Sequence, residues 1–244
     1  MQGCGMLIED IEQALIYRVT NATVYDYPYP HVYIQDIFPA DYYQEILDHL
    51  PADEHYVCIS DTGRVKGERY AARFVIDLST STLEQLSPAL REFWQTCARY
   101  LLGGPFLGGL MTRFKHPIEE RFRQHTAGRV SLESQLLLTR DKTGYDIGPH
   151  TDAPSKLLTL LFYLPKDHGQ THLGTSIYVP KDPAFRCPGG PHHPFEKFKK
   201  VTTARFAPNT VFGFLRNDQS FHGVETIQDA EISRNLLIFN VKVK

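Results

Sequence analysis

The sequence predicts an α+β fold in which helices flank a β-sandwich or jelly roll. Three observations carry this expectation. Helical spacing is confined to the first half of the chain, and after about residue 129 the pattern becomes short strand-like runs separated by turn residues. No internal repeat or low-complexity tract interrupts the 244 residues, whose 42% hydrophobic and 22% charged content suits one large globular unit. A helical part followed by an all-β part places helices beside a sandwich rather than between parallel strands. The expected division is a support of helices and strands over residues 1–128 and a β core over 129–244, within a single domain spanning 1–244.

Taken in order, Tyr27-Pro28-Tyr29-Pro30 forms a turn-like entry to the strand pattern HVYIQDIF. YYQEILDHL then has helical spacing at Tyr42, Ile46, Leu47 and Leu50, and Pro51 ends it. ARFVIDL reads as a strand. LEQLSPALREFWQTCARYLLG reads as one long helix closed by Gly103, its apolar positions falling on one face and Pro88 marking a start for its regular part. IEERFRQH is helical with a solvated charged face. SLESQLLLT, KLLTLLFYL, TSIYV, KKVTTARFA, TVFGFL, HGVETI and RNLLIFNVKV are the strands of the second half.

Charge argues for no special partner. Net charge is −2 and the 26 basic residues are scattered, which supports neither a nucleic-acid groove nor a membrane surface. Cys4, Cys58, Cys97 and Cys187 form no CxxC motif and suggest no disulfide framework, as in a reducing compartment. Glu9, Asp10 and Glu12 interrupt any secretory h-region, and no run approaches the roughly 20 apolar residues of a membrane span. The expectation is a cytoplasmic protein.

The chemistry lies in YDIGPHTDAPSKLLTLLFYLP, where His150 and Asp152 stand between a Gly-Pro turn and an apolar strand. With 11 histidines and 28 acidic residues, about one His-x-Asp/Glu arises by chance, so the pair alone says little. Position adds the rest. QSFHGV brings His222 seventy residues after Asp152, and SRNLLIFNVKV brings Arg234 twelve residues after His222. Alternate residues of an extended segment project to the same side, so His150 and Asp152 share one face. A distant histidine added to that pair makes the two-imidazole, one-carboxylate facial triad of non-haem Fe(II) oxygenases. An arginine adds a rigid fork for a carboxylate.

Together YDIGPHTD, FYLPKD, GTSIYV, FHGV and SRNLL resemble the Fe(II)/2-oxoglutarate-dependent oxygenases, in the prolyl-4-hydroxylase-like branch. The likeness covers roughly residues 129–243, with a looser extension to YPYPHVYIQDIFPADYYQEIL. The resemblance implies a double-stranded β-helix (jelly-roll) core, an Fe(II) centre held by His150, Asp152 and His222, and the co-substrates 2-oxoglutarate and O2. Arg234 would bind the distal carboxylate of 2-oxoglutarate, Tyr163 would hydrogen-bond it, and Thr159 and Leu161 would line its pocket. The family's reaction yields succinate and CO2 and oxidises an unactivated C–H bond. Because an aspartate fills the position that is small in related halogenases, hydroxylation, or a desaturation or cyclisation, is expected rather than halogenation.

Substrate residues are less legible. Arg140, Arg216 and Asn217 are candidates, an inward Arg140 favouring an acidic substrate. Residues 179–198 have the composition of a long loop, in which His192 and His193 read as solvent-exposed. A small molecule, such as an amino acid or natural-product intermediate, is the first expectation. A protein residue is the alternative within the family. A non-catalytic ligand-binding jelly roll is the alternative outside it.

Overall fold

The structure, a computed structural model, describes residues 8–65, 70–123 and 131–244. The chain opens with α1 (Ile8–Thr20), whose Ile11, Leu15 and Val19 recur every four residues as a buried stripe. Then come β1 (His31–Gln35), α2 (Ala40–Asp48), the short β2 (Val57–Cys58) and β3 (Arg73–Asp77). Four further helices follow: α3 (Thr80–Leu83), α4 (Pro88–Leu102), α5 (Gly104–Arg113) and α6 (Lys115–Phe122). The remainder is β4 (Leu132–Lys142), β5 (Ile147–His150), β6 (Lys156–Tyr163), β7 (Thr175–Pro180), β8 (Phe198–Ala204), β9 (Thr210–Leu215), β10 (His222–Val224) and β11 (Ser233–Val243).

The strands form two antiparallel sheets, a larger one ordered β1-β9-β6-β11-β4-β3-β2 and a smaller one ordered β5-β10-β7-β8. Strand alternation divides the larger sheet into two chemically different faces. Leu158, Leu160 and Phe162 of β6, with Leu237, Phe239 and Val241 of β11, pack into one core with the helices. Each such fully buried side chain contributes about 1.5–3 kcal/mol. The intervening Leu161 and Tyr163 of β6 face the smaller sheet, where they meet Ile177 and Val224. An uninterrupted apolar run such as KLLTLLFYL therefore marks a central strand covered on both sides.

One helix expected from the spacing is divided. The run from residue 83 to Gly103 breaks before Pro88, which occupies the first turn of α4 after an extended Ser87. A proline lacks the N–H that a continuing helix needs and clashes with the carbonyl four residues back, so it opens a helix here. The helices α1 and α5 were not foreseen. The end of the IEERFRQH pattern, residues 124 and 125, lies outside the described residues, as do Cys4 and the expected 128/129 boundary.

Two buried polar contacts tie the helical layer down. Trp94 donates its indole N–H to the His49 carbonyl at 2.8 Å, joining α4 to the end of α2. Asn209, in left-handed backbone at φ 54°, both accepts from the Phe38 N–H (2.9 Å) and donates to its carbonyl (2.8 Å). Asparagine tolerates that backbone better than most residues. Among the described residues, no helix is long and apolar enough to cross a membrane.

Candidate metal centre

The antiparallel pairing of β10 with β5 sets His222 directly opposite His150. Directly opposed residues have Cβ atoms only about 4.5–5.5 Å apart, and the two imidazole centroids lie 4.3 Å apart. Asp152 follows two residues beyond His150. One ligand atom from each of His150, Asp152 and His222 lies within 4.8 Å of the others, and all three residues are buried.

Both rings are held in the same way. His150 Nδ1 lies 3.0 Å from the Gly148 carbonyl, and His222 Nδ1 lies 2.9 Å from the Ser220 carbonyl. A carbonyl only accepts, so each Nδ1 carries the proton and each Nε2 keeps its lone pair for a metal. Asp152 accepts from Lys156 Nζ at 2.9 Å and from Thr159 Oγ1 at 2.6 Å, which fixes the carboxylate plane. Two neutral imidazoles and one oriented carboxylate on one side of a cavity suit a divalent transition metal with open positions.

Burial pushes the His150 imidazole far below its usual range, and the adjacent His222 adds to the effect. Burial also lowers His222. Burial alone would raise the Asp152 carboxyl, but Lys156, His222 and His150 outweigh it and hold it below the usual range. As pH falls, the unfolded chain protonates its histidines near about 6.5 while the buried rings stay neutral. The metal-free protein is therefore expected to lose stability progressively below pH about 6.5. Urea midpoints between pH 7.5 and 5.5 check this, and a midpoint independent of pH in that window would count against neutral buried rings.

The triad opens into a cavity of about 590 Å³ between the sheets. Thr159, Leu161 and Arg234 line it. Arg234 is fully buried at the start of β11, donating through Nε to the Leu173 carbonyl (2.6 Å) and through Nη1 to Asp141 (2.7 Å). Its Nη2 makes only a 3.4 Å contact to Thr175 Oγ1. Tyr163 does not line the cavity. Its hydroxyl accepts the Thr175 N–H at 3.2 Å and its ring lies beside the Arg234 guanidinium, 5.8 Å from centroid to Cζ.

The substrate candidates need correction. Arg140 points to the helix-covered face of the sheet, because it alternates with Thr139 and Asp141 and shares its side with Leu136 and Leu138. There it binds Asp53, the Pro51 carbonyl (3.0 Å) and Asn235 (2.8 Å) and stacks on Tyr56. Arg216 and Asn217 line a separate groove. Arg216 contacts the site only through the backbone, donating to the Asp152 carbonyl at 3.1 Å.

His192 also departs from expectation. It lines the cavity, its ring 4.7 Å from that of His150, and its Nε2 lies 2.8 Å from the Tyr70 hydroxyl. The 179–198 segment is tied over the triad by the His193 N–H on the Pro149 carbonyl (2.9 Å) and by Thr151 on the Cys187 carbonyl (2.8 Å). Gly189 also comes close to the Asp152 backbone. It has φ +105°, and a Cβ there would stand 2.9 Å from the Asp152 carbonyl. His193 packs instead among Phe185, Phe198 and Phe221.

Four site residues escape the sequence reading: Arg73, Asp141, Lys156 and Lys242. The first two form a network with Arg234. Arg73 donates to Asp141 through Nε to Oδ1 (2.6 Å) and Nη2 to Oδ2 (2.8 Å), the oxygen that also accepts from Arg234, and lies over the Tyr145 ring at 4.2 Å. The signal available was alternation: Arg73 starts the recognised ARFVIDL strand, and Asp141 is the inward neighbour of Arg140.

No protein-family model matches the chain, and no curated protein sequence matches it. Solved structures share the fold. One is the non-haem alpha-ketoglutarate-dependent epimerase SnoN from nogalamycin biosynthesis, 14% identical with a TM-score of 0.54, over 95% of this chain and 82% of that one. Another is a Pseudomonas putida prolyl-4-hydroxylase, 12% identical with a TM-score of 0.52, over 95% of this chain and 98% of that one. SnoN in complex with Fe3+, alpha-ketoglutarate and nogalamycin RO matches at 12% identity and a TM-score of 0.50, over 95% of this chain and 83% of that one.

Proposed function

We propose that this chain is an Fe(II)/2-oxoglutarate-dependent oxygenase that hydroxylates an unactivated C–H bond of a small molecule. The observation that carries the reading is the paired commitment of His150 and His222. Each spends Nδ1 on a backbone carbonyl and turns Nε2 toward Asp152, above a cavity with a buried arginine in its wall. A structural metal site has no use for that arginine or for an adjoining cavity. Solved neighbours of the same fold bind Fe3+ and alpha-ketoglutarate, in the epimerase, or are described as prolyl hydroxylases.

The residues present fit both groups. His150, Asp152 and His222 would hold the iron. Arg234 would take the far carboxylate of 2-oxoglutarate, since its Nη2 has only a long contact and its ring neighbours Tyr163 and Phe206 keep that end dry. Bound iron and 2-oxoglutarate supply O2 activation coupled to decarboxylation, with succinate and CO2 as products. The chain's own part is orientation: Thr159 holds the carboxylate, the two carbonyls hold the imidazoles, and the 179–198 segment limits water at the triad. A small substrate suits a cavity of about 590 Å³.

We also read the β4–β11 region as a double-stranded β-helix. The support is that β4, β6, β9 and β11 lie in the larger sheet and β5, β7, β8 and β10 in the smaller, with the two sheets visited in turn along the chain except at the β7–β8 pair. Because β1 and β3 extend the same large sheet, the whole chain is taken as one oxygenase domain.

Anaerobic titration of metal-free protein with Fe(II) and 2-oxoglutarate tests the reading. A saturable visible charge-transfer band is expected. Its absence from folded protein would remove the oxygenase assignment in favour of a ligand-binding sandwich.

A further inference from the structure

The cavity carries more positive charge than the proposed cofactors use. Its cavity-facing positions along β11 run Arg234, Leu236, Ile238, Asn240 and Lys242, which puts one cation at each end of the strand. Lys242 stands directly opposite Lys156 in the β6–β11 register, and both line the cavity together with Arg64. Like charges directly opposed across a sheet are destabilising. A chain that keeps two lysines so placed, in a concave site, has a position where a negative group would relieve the repulsion.

The partners of these cations sharpen the point. Arg64 is paired with Asp77. Lys156 is paired with Asp152, which the iron would claim. Lys242 has one hydrogen bond, to the neutral Gln135 side-chain oxygen at 3.0 Å, and makes no ion pair among the described residues. Burial, Arg64 and Lys156 lower its ammonium pKa by more than Glu133 and Asp77 raise it. The rest of the site balances once the oxygenase reading holds. Two negative charges on 2-oxoglutarate and one on Asp152 offset the iron and the single excess charge of the Arg73–Asp141–Arg234 group. Glu133, opposite Lys242 in the β4–β11 register, is itself paired with Lys244 at 3.3 Å, so Lys242 and Lys156 remain.

We propose that the substrate is a small anion whose carboxylate or phosphate group is held by Lys242 and Lys156, beside Arg64, at the opposite end of the cavity from Arg234. This rests on the oxygenase reading for the identity of the ligand as a substrate. The apolar wall between the two charged ends, formed by Leu137, Leu236 and Ile238, would face the carbon skeleton that carries the oxidised C–H bond. Lys242 is thus a binding and positioning residue for the substrate, with no contact to the metal ligands.

The test uses full-length protein held anaerobically with Fe(II) and saturating 2-oxoglutarate, so that the Arg234 end is filled. Acetate and methylphosphonate serve as the carboxylate and phosphate probes. Binding is followed by saturation-transfer NMR, and paramagnetic broadening reports nearness to the metal. Wild type is expected to bind at least one probe saturably and near the iron, and the tighter of the two identifies the substrate's acidic group. Lys242→Gln should weaken that binding at least about tenfold and Lys242→Arg should restore most of it, with the chelate band unchanged in both. A normal chelate band with no saturable probe, or with equal binding by Lys242→Gln, overturns the inference. If no variant forms the band, the iron reading fails by itself. Saturation transfer then still decides the anion site, because loss of probe binding in Lys242→Gln supports it and retention overturns it.

Discussion

Replacing Asp152 by alanine is expected to abolish the Fe(II)·2-oxoglutarate charge-transfer band and the release of succinate, with the chain still folded. Even partners one step removed from a metal cost 10–100-fold in affinity when lost, so a weakening beyond about 100-fold is expected for a direct ligand. The change removes the carboxylate that the two imidazoles face and leaves them as a weak pair. It also frees Lys156 and Thr159, both of which now hold that carboxylate. Lys156 sits near the cavity mouth, its side chain 23% exposed, and can turn to water, so the fold should tolerate the loss. Asp152→Asn separates charge from shape, because the amide oxygen still accepts from Thr159. Near-normal band intensity in Asp152→Ala, with circular dichroism unchanged, would sink the assignment of this residue. An alanine variant that loses metal-dependent thermal stabilisation but never showed a 2-oxoglutarate effect in wild type would point to a structural metal instead.

The parts of the site that were legible in the sequence are those fixed by period-two alternation and by chain order. His150 and Asp152 share a face because one residue separates them, and Thr159, Leu161 and Tyr163 share a face of β6 for the same reason. What alternation does not give is which face looks inward. Arg140 was read as a possible inward group, yet the register places its neighbour Asp141 on the cavity side and Arg140 among Pro51, Asp53 and Tyr56. Pairing across sheets is equally invisible. Lys156 and Lys242 lie 86 positions apart and become neighbours only through the β6–β11 register. The same holds for His192, which sits in a proline- and glycine-rich segment with every mark of an exposed loop. Backbone contacts from His193 and Cys187 fold it over the triad. On the helical side, Pro88 announced a helix start, but the spacing on either side of it matched one amphipathic face and hid the break. The fold class followed from the order of patterns, since helical spacing confined to the first half and a second half of strands alone have few alternatives to a sandwich.

Asp141→Ala is expected to cost about 3–5 kcal/mol of folding stability, the range for stranding a buried charge by removing its partner. A domain's whole stability is about 5–15 kcal/mol, so the variant would be marginal at 37 °C. Asp141 is fully buried and accepts from both Arg73 and Arg234. Without it two guanidiniums face each other across the cavity floor. Arg73 is only partly able to escape, with 13% of its side chain exposed, and Arg234 has none. The same reasoning links stability to the co-substrate. If Arg234 binds the far carboxylate of 2-oxoglutarate, the ligand supplies part of the missing negative charge, so it should raise the melting temperature of Asp141→Ala by more than it raises that of wild type. Stabilisation follows RT ln(1 + [L]/Kd), about 2.7 kcal/mol at a hundredfold excess over Kd, so tighter binding by the variant appears as a larger shift at the same 2-oxoglutarate concentration, with Fe(II) present and O2 excluded. Asp141→Asn keeps the shape and should fall between the two. A loss below about 1 kcal/mol by urea denaturation would mean that the three charges are solvated rather than mutually dependent. Equal shifts in both proteins would separate Arg234 from the co-substrate and return it to a purely structural role beneath β11.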